Sequence, residues 1–524
     1  MDETTLFSPP PQVRILTMLD RPYETAVAAA RTCYSSTGVV TADDVASGSA
    51  ETRDRIAQGI YRGGHHTTFQ HGYVQFALSN VSRQFLWTFL HSHTFYNSEQ
   101  VSQRYVPIKP EAFAVPPLSG RARALYLEGI EEQIAAYDRL VALLRPSAEA
   151  AYFRRFPSRR KGKETERDVW RKAMEVARYV LPLAMFAYLY HTVSTLTILR
   201  YWRLCQQPGA PVETKQVIEL MVRALLAVDP PLASILEEPV PLSEASMPEL
   251  AALAQFGDGE RVRSQAQRFA REFDSRLDGC VSRLVEAKPG NEECVAQAVR
   301  AALGLPESAM SSQEALRLVM SPAHNPHLTG ALNLTTLSRL SRALYHAHYT
   351  FHKRISHTAD SQNQRHRMTP ATRPVVSAYL SDEPDYIIPQ LVGDNETAHR
   401  FYRETMMQNW DRLRELERLG VSDEFRAYLL PNAVSIRLVE STDLLNLRHK
   451  LEMRLCYNAQ EEIWRAALDE AAQVQQVDPT LGQYLLPPCT LRALADRRPY
   501  CPEGQRYCGV RVWELERAQY ERTI

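Results

Sequence analysis

The sequence predicts an α+β protein built from two homologous halves, and three observations lead to this prediction. Helical periodicity dominates the 524-residue chain, whereas stretches with the alternation of a β-strand are fewer. Short motifs recur in the same order about 250 positions apart. The chain is also long enough for more than one domain, because domains average roughly 150 residues.

Helices are predicted where apolar side chains repeat every three to four residues. One such stripe runs through residues 125–144, and a counterpart runs through residues 401–416, with Gly420 placed to end that helix. Both stripes are typical of helices packed against a core. Residues 73–78 alternate between apolar and polar side chains, which indicates a strand with one buried face.

Three pairs of motifs, repeated in one order, support the duplication. They are Val-Asp-Pro at 228–230 and 477–479, Arg-Leu-Cys at 203–205 and 454–456, and Tyr-x-Leu-Pro at 179–182 and 428–431. A weaker echo pairs Ser-Gln-Arg-Tyr at 102–105 with Asn-Gln-Arg-His at 363–366.

The motifs and the composition together suggest where each half begins and ends. Proline, serine, glycine and acidic residues cluster at 240–265, so we place the joint there. We expect a first repeat at 10–245, a second repeat at 265–490 and a C-terminal tail at 491–524.

Charge and cysteine content narrow the class of protein. The 61 basic residues balance the 61 acidic ones, so overall charge gives no argument for a nucleic-acid or membrane partner. The eight cysteines are too sparse for a disulfide framework, and the N-terminus lacks the basic and apolar regions of a signal peptide. The apolar run 181–190 is too short to cross a bilayer. We expect a soluble protein of the cytoplasm.

Two clusters of polar side chains, at 65–105 and 346–367, are candidates for a functional site. His91 and His93 could bind a metal with a further histidine, but no carboxylate or cysteine stands at a convincing ligand spacing. The histidines could also be purely structural. A third possibility is a site for an anion joined to a ring, because arginine and serine donate to phosphate while histidine and tyrosine offer ring faces.

Arg178, Arg203 and Arg454 stand beside apolar stretches. Burying an arginine there is costly without an anionic partner, which could be a substrate phosphate or a structural carboxylate.

Two further features favour ordinary explanations. Cys489, Cys501 and Cys508 could hold zinc with Cys456 or His449, but the Cys-x6-Cys spacing is not a standard zinc spacing, and free thiols are favoured. The basic run 154–163 could contact nucleic acid or folate glutamates, but a solvated loop is favoured.

Several motifs resemble those of the flavin-dependent thymidylate synthases. Residues 64–71 (Gly-His-His-Thr-Thr-Phe-Gln-His) are similar to the family's Gly-His-x-Ser/Thr-x-Phe-Glu-His segment. Residues 102–105 are similar to its Ser-x-Arg-Tyr, and residues 177–182 to its Ala-Arg-x-x-Leu-Pro. Arg454 and residues 459–463 (Ala-Gln-Glu-Glu-Ile) resemble its late arginine and Ala-Gln-x-Glu-Ile helix. The chain therefore resembles a tandem duplication of this enzyme.

The chain departs from the family at the Arg-His-Arg triplet, which in the family contacts the flavin and the nucleotide. The first half has His-Ser-His at 91–93. In the register that we favour, the second half has His-Lys-Arg at 352–354, and an alternative register uses His-Ala-His at 346–348. Ala427 also stands where the first half has Arg178. Since histidine lacks the permanent charge and the fork of arginine, neither half is expected to carry the complete set.

The resemblance implies reductive methylation of dUMP to dTMP, with FAD as cofactor, NADPH and methylenetetrahydrofolate as co-substrates, and neither a protein nucleophile nor a metal. It also implies that each half is a helix-rich lobe packed on a small, mainly antiparallel sheet. For dUMP or a similar pyrimidine nucleotide we predict binding by Ser102, Arg104, Arg178, Arg203, Arg365 and Arg454. For the flavin we predict binding by His65, Thr67, His91, His93, Glu99, His352 and Arg354.

The resemblance also bears on partners. The family builds its sites between neighbouring copies in a homotetramer, so this tandem chain is expected to form a homodimer that acts as a pseudo-tetramer. Duplication would let each copy lose part of the site. Two alternatives stay open: a flavin or nucleotide binder without catalysis, and a nucleic-acid-binding protein that uses residues 154–163. Neither nucleic acid nor a membrane is the favoured partner.

Overall fold

The structure is a computed structural model that describes residues 7–90, 93–156, 159, 161–236, 252, 255, 259–330 and 332–522. Within these residues the helices are α1 Pro22–Thr32, α2 Ala42–Ala46, α3 Ala50–Arg62, α4 Arg83–Leu90, α5 Gly120–Arg155, α6 Lys163–Ala177, α7 Thr195–Cys205, α8 Val212–Val228, α9 Gly259–Leu277, α10 Asn291–Leu303, α11 Ser312–Met320, α12 His357–Asn363, α13 Gln390–Gly393, α14 Glu396–Arg418, α15 Asp423–Arg426, α16 Leu444–Arg454, α17 Glu461–Val477, α18 Pro479–Gly482 and α19 Pro488–Leu494. The strands are β1 Gln12–Met18, β2 Tyr73–Ser82, β3 Asn97–Gln100, β4 Phe186–Ser194, β5 Ser282–Ala287, β6 His348–Ser356, β7 Ala371–Thr372 and β8 Ser435–Asp443.

The strands form two four-stranded antiparallel sheets of the same topology. The first has the order β1-β2-β4-β3, and the second has the order β5-β6-β8-β7. Ser82 pairs with Phe186 in the first sheet, as Ser356 pairs with Ser435 in the second. These two small sheets and the predominance of helix agree with the predicted α+β class.

The strand register relates the two repeats residue by residue. Ser98 on β3 pairs with His191 on β4, and Ala371 on β7 pairs with Glu440 on β8. Strands β4 and β8 each run into the helix that follows, with Ser194 and Asp443 as the helix N-caps. His191 and Glu440 lie three residues before their caps, so they occupy equivalent positions.

The chain divides into two compact units that do not follow the order of the repeats. The first comprises Met1–Ile134, Leu181–Val262 and Asp411–Leu430, and the second comprises Ala135–Val180, Arg263–Trp410 and Pro431–Ile524. Each unit therefore holds one sheet together with a segment from the other half of the sequence. Where the repeats themselves begin and end stays a prediction.

In the first unit, a buried glutamate joins the sheet to the segment from the second half. Glu213 on α8 accepts hydrogen bonds from the Ser82 backbone N–H at 2.8 Å and from its hydroxyl at 2.5 Å. It also accepts one from the Tyr428 hydroxyl at 2.8 Å. Three donors satisfy the carboxylate, as burial of a charged group requires.

The second unit repeats this arrangement. Glu462 accepts from the backbone N–H of Ser356, from its hydroxyl at 2.6 Å, and from the Tyr179 hydroxyl at 2.7 Å. The repeated Tyr-x-Leu-Pro motif thus supplies one tyrosine to each unit, and the Ala-Gln-x-Glu-Ile motif supplies Glu462. The tyrosine of the repeated motif makes the same long-range contact in each unit.

The secondary structure confirms the periodic patterns of the sequence. Strand β2 buries Val74 and Phe76 completely, whereas Tyr73 is 46% exposed. The stripe at 125–144 lies within α5, and the stripe at 401–416 lies within α14. Gly420 adopts a φ of +79° just beyond α14, a conformation that glycine tolerates without strain.

All eight cysteines are free thiols, as their sparse distribution predicted. In the part of the chain that the structure describes, no helix is both long and apolar enough to cross a membrane.

Candidate functional site

A cavity of about 230 Å³ lies in the first unit, where β2 ends, α4 begins and β3 leads into a loop. Its polar lining residues are Ser79, Asn80, Arg83, Ser102, Gln103 and Lys109. Phe186 and Tyr188 of β4 contribute ring surface to its wall. Polar donors and aromatic rings therefore meet in one cavity.

Arg83 holds the loop side of this cavity in place. It is the first residue of α4 and is 8% exposed. Its Nη1 donates to the side-chain oxygen of Gln100 at 3.1 Å, and its Nη2 donates to the carbonyl of Val101 at 3.0 Å. This fork fixes the backbone that leads directly into Ser102. The sequence placed Arg83 in the polar cluster but did not assign it to the site.

The Ser-Gln-Arg-Tyr motif forms a compact turn at the cavity. The Ser102 hydroxyl accepts the backbone N–H of Arg104 at 3.2 Å, and its carbonyl accepts the N–H of Val106 at 3.1 Å. The Arg104 guanidinium lies 5.4 Å from the ring centroid of Tyr105. Such local serine-to-backbone bonds stabilise turns, so the motif keeps its shape without a neighbouring strand.

The charge of the cavity favours an anion. Its lining contains the cations Arg83 and Lys109, and no aspartate or glutamate is among the described residues that line it. A guanidinium, an ammonium and the Ser102 hydroxyl are donors of the kind that bind phosphate oxygens.

In the second unit, ion pairs occupy the position that is equivalent to the cavity of the first unit. Arg437, the counterpart of Tyr188, binds Asp385 at 2.5 Å and Asp274 at 2.7 Å. Arg354 Nη2 also donates to Asp385, at 3.0 Å. The His352 ring stacks on a phenylalanine of α9 with centroids 4.8 Å apart. His352 and Arg354, both predicted flavin residues, thus belong to this packed, charge-compensated region.

The structure places the Arg-His-Arg triplet differently from the register favoured by the sequence. Ser82 and Ser356 are equivalent, because each ends the second strand of its sheet and binds a buried glutamate. Residues 91–93 lie nine to eleven positions after Ser82, and residues 365–367 lie nine to eleven positions after Ser356. Residues 365–367 read Arg-His-Arg, whereas 352–354 lie inside β6. The second repeat therefore retains the triplet intact, and the earlier register is corrected.

His366, the centre of this triplet, lies in a basic environment. Burial lowers its pKa well below the usual value, and the charges of Arg454 and Lys450 lower it further. Its Nε2 atom is buried and has no hydrogen-bond partner within the described residues. Arg454 Nη2 donates to the carbonyl of Gln362 at 2.6 Å, and Arg365, the first residue of the triplet, is exposed.

The second repeat has lost the Ser-Gln-Arg-Tyr motif. Counting from the equivalent residues Ser98 and Ala371, residues 102–105 correspond to 375–378, which read Val-Val-Ser-Ala. The weaker echo at 363–366 instead begins at the last residue of α12. The first repeat thus has Ser-Gln-Arg-Tyr without Arg-His-Arg, and the second has Arg-His-Arg without Ser-Gln-Arg-Tyr.

The remaining predicted residues of the first unit are spread over its surface and core. His65 and Thr67 are exposed, at the start of the 3₁₀ helix that precedes β2. Glu99 is exposed on β3, opposite Tyr190 of β4. Arg203 is half-buried on α7.

Three predicted residues remain to be placed. Arg178 is 6% exposed in the second unit, and its carbonyl accepts a hydrogen bond from the Asn432 amide at 3.0 Å. His93 lies in the first unit, with Nε2 at 2.7 Å from the Tyr201 hydroxyl. His91 falls outside the described residues. Among the residues that are described, no group of three or more histidine, cysteine or acidic side chains has the arrangement of a metal site.

Comparison with known proteins covers both repeats. The family profile described as thymidylate synthase complementing protein matches residues 14–231 and again residues 283–480. A flavin-dependent thymidylate synthase of Clostridium tetani is 29% identical over 196 residues, which is 37% of this chain and 73% of the relative. The enzyme of the same name from Geobacter sulfurreducens is 28% identical over 184 residues, or 34% of this chain and 76% of the relative. One from Pyrococcus abyssi is 27% identical over 170 residues, or 31% and 68%.

Proposed function

Because the chain belongs to the thymidylate synthase complementing protein family, we propose that it catalyses the reductive methylation of dUMP to dTMP. FAD would be the cofactor, and NADPH and methylenetetrahydrofolate the co-substrates. The observation that carries this proposal is the cavity beside Ser102, whose lining holds two cations and no described carboxylate. A nucleotide phosphate would meet there the hydroxyl of Ser102 and the guanidinium of Arg83.

The predicted phosphate residues divide between the units. Ser102 and Arg104 form the turn at the cavity, and the half-buried Arg203 belongs to the same unit. Arg178, Arg365 and Arg454 belong to the second unit, where Arg454 lies near the triplet. We propose that all six serve nucleotide binding, with Arg83 as an additional donor.

For the flavin, the intact triplet at 365–367 is the best-supported set. A buried His366 nitrogen without a described partner, beside the cationic Arg454, suits a heteroaromatic or phosphate group. We propose that the triplet takes the flavin role assigned earlier to His352 and Arg354, and that His65, Thr67, His91, His93 and Glu99 contribute from the first repeat. When bound, FAD would accept a hydride from NADPH and supply the reducing power for methylation. The protein residues orient the two rings and hold the phosphates.

Activity is tested by release of tritium from C5-labelled dUMP in the presence of methylenetetrahydrofolate and NADPH. We expect yellow protein and tritium release from the wild-type chain. Arg83→Lys keeps the charge but removes the fork, and should weaken dUMP binding while the flavin absorbance stays. Arg317→Lys, on α11, is the matched control. Yellow protein without any tritium release would indicate a flavin binder without this activity and would refute the proposal.

The division of the motifs predicts how many flavins each chain binds. Since only the second repeat retains Arg-His-Arg, we expect about one flavin per chain rather than two. His366→Ala should lose most of the bound flavin, whereas His399→Ala, a control at a half-buried position of α14, should retain it. We also propose a homodimer that acts as a pseudo-tetramer, which a mass measurement in solution tests. A flavin content of two per chain would contradict the specialisation of the repeats.

A further inference from the structure

A chain of hydrogen bonds crosses the first unit from His93 to Ser98. His93 Nε2 lies 2.7 Å from the Tyr201 hydroxyl, which lies 3.0 Å from His191 Nε2. His191 Nδ1 in turn lies 2.7 Å from the Ser98 hydroxyl. His191 is 0% exposed and Tyr201 is 2% exposed, so solvent does not reach the middle of this chain.

The backbone determines the direction of these hydrogen bonds. The N–H of Phe95 donates to His93 Nδ1 at 2.9 Å, so neutral His93 carries its proton on Nε2. His93 donates that proton to the Tyr201 oxygen. The Tyr201 hydroxyl in turn donates its own proton to Nε2 of His191. His191 therefore carries its own proton on Nδ1 and donates it to Ser98.

The two buried residues, His191 and Tyr201, stay neutral near pH 7, so the hydrogen bonds keep their donor-to-acceptor direction from His93 to Ser98. Burial lowers the pKa of His191 to about 3, with a further contribution from His93. Burial also raises the pKa of Tyr201 well above its usual value. Ser98 consequently acts as an acceptor toward His191, and its own hydroxyl proton has no acceptor among the described residues. The hydroxyl of the half-buried Ser98 is therefore oriented by His191 and can donate its proton to a ligand.

Ser98 is three residues before Val101, which follows β3 and lines the cavity. Ser98 and Gln100 share one face of β3, about 7 Å apart, because alternate strand residues point to the same side. Gln100 accepts the 3.1 Å hydrogen bond from Arg83, which lines the cavity. A ligand that extends from the cavity along β3 would therefore reach Ser98.

The second repeat does not contain this chain. Ala371 and Glu440 occupy the positions of Ser98 and His191, and Lys450 occupies that of Tyr201. Glu440 is instead engaged by Lys353 and Lys450 in a buried ion cluster. The oriented serine is specific to the repeat that also keeps the cationic cavity.

We propose that Ser98 binds the base of the nucleotide whose phosphate occupies the cavity, donating its hydroxyl proton to a ring carbonyl oxygen. The inference rests on the proposed function, because the ligand is taken to be a pyrimidine nucleotide. Tyr201 and His191 are positioning residues, since they act on the ligand only through Ser98.

Calorimetry with two ligands tests the role of Ser98. dUMP carries phosphate, sugar and base, whereas deoxyribose 5-phosphate lacks the base. Ser98→Ala should weaken dUMP binding about fivefold, the effect expected from one hydrogen bond, and should leave deoxyribose 5-phosphate unchanged. Ser47→Ala, at an exposed position of the same unit, should change neither affinity. Unchanged dUMP affinity in Ser98→Ala, or an equal loss for both ligands, would overturn the inference.

Nitrogen-15 spectra of labelled histidine test the positioning role. His191, assigned with His191→Gln, should show a protonated Nδ1 and an unprotonated Nε2 in the wild-type chain. Tyr201→Phe should shift it toward a mixture of tautomers and weaken dUMP binding by less than Ser98→Ala does. The opposite tautomer in the wild-type chain would overturn the inference even if dUMP binds. Failure of the wild-type chain to bind dUMP at all would instead refute the proposed function, and this inference with it.

Discussion

Replacing Glu213 by glutamine should make the stability of the protein less sensitive to pH. Burial raises the pKa of Glu213 to about 7, against hydrogen bonds from Ser82 and Tyr428 that favour the charged form. The same side chain titrates near 4.5 when it is not perturbed. Between these pH values the native state binds a proton that the unfolded chain has released, so stability falls as the pH rises.

The magnitude follows from the shift. At about 1.4 kcal/mol per pH unit, the pKa shift of Glu213 changes the free energy of unfolding by about 3 kcal/mol between pH 4.5 and 7. This contribution is fully present below pH 4.5 and is lost as the pH rises through 7. Glutamine cannot ionise, but its oxygen can still accept the backbone N–H of Ser82. The free-energy difference between wild type and Glu213→Gln should therefore change by about 3 kcal/mol across this window, in favour of the variant at higher pH.

Urea unfolding followed by circular dichroism, repeated from pH 4.5 to 8, measures this difference. Glu219→Gln is the matched control, because Glu219 is a half-buried glutamate on the same helix, α8. Its pH profile should run parallel to that of the wild type. Parallel profiles for wild type and Glu213→Gln would refute the reasoning, as would an equal change in the control.

Three further substitutions have defined outcomes. Lys353→Met removes one of the two ammonium groups that contact the buried Glu440 and Glu470, the other being Lys450, so urea unfolding should show a loss of about 3 kcal/mol, and an unchanged midpoint would contradict this. Gly482→Ala would drive a Cβ into the neighbouring backbone of α17 and should lower Tm by several degrees, whereas Gly393→Ala, whose Cβ would have no atom closer than 4.0 Å, should not. Arg83→Lys should weaken dUMP binding about tenfold in calorimetry, because lysine cannot make both bonds to Gln100 and Val101 that hold the backbone before Ser102, and an equal affinity would exclude this role.

Local patterns allowed much of the secondary structure to be predicted. The alternation that begins at Tyr73 and the stripes within α5 and α14 are properties of neighbouring residues, so they can be recognised without a tertiary structure. The duplication was also recognisable, because Tyr179 and Tyr428 make the same contact in each unit and are retained with their flanking residues.

The site was only partly predictable. The Ser-Gln-Arg-Tyr motif was identified, but Arg83 was not assigned, since its fork to Gln100 and Val101 depends on how α4 meets the end of β3. Counting nine residues on from Ser82 and from Ser356 would have found the intact triplet in the second repeat. Nothing in the sequence marked those serines as equivalent.

The sequence alone determined that the chain is duplicated, that residues 125–144 and 401–416 are helical and residues 73–78 a strand, and which motifs resemble a known enzyme. The tertiary structure decided the register of Arg-His-Arg, which segments of the sequence each unit contains, and which carboxylates pair with Arg354 and Arg437. The physical reason is the range of the interactions. Ser82 is recognised by a glutamate 131 residues away, and Arg354 is compensated by a carboxylate 31 residues away, so neither contact leaves a local pattern in the sequence.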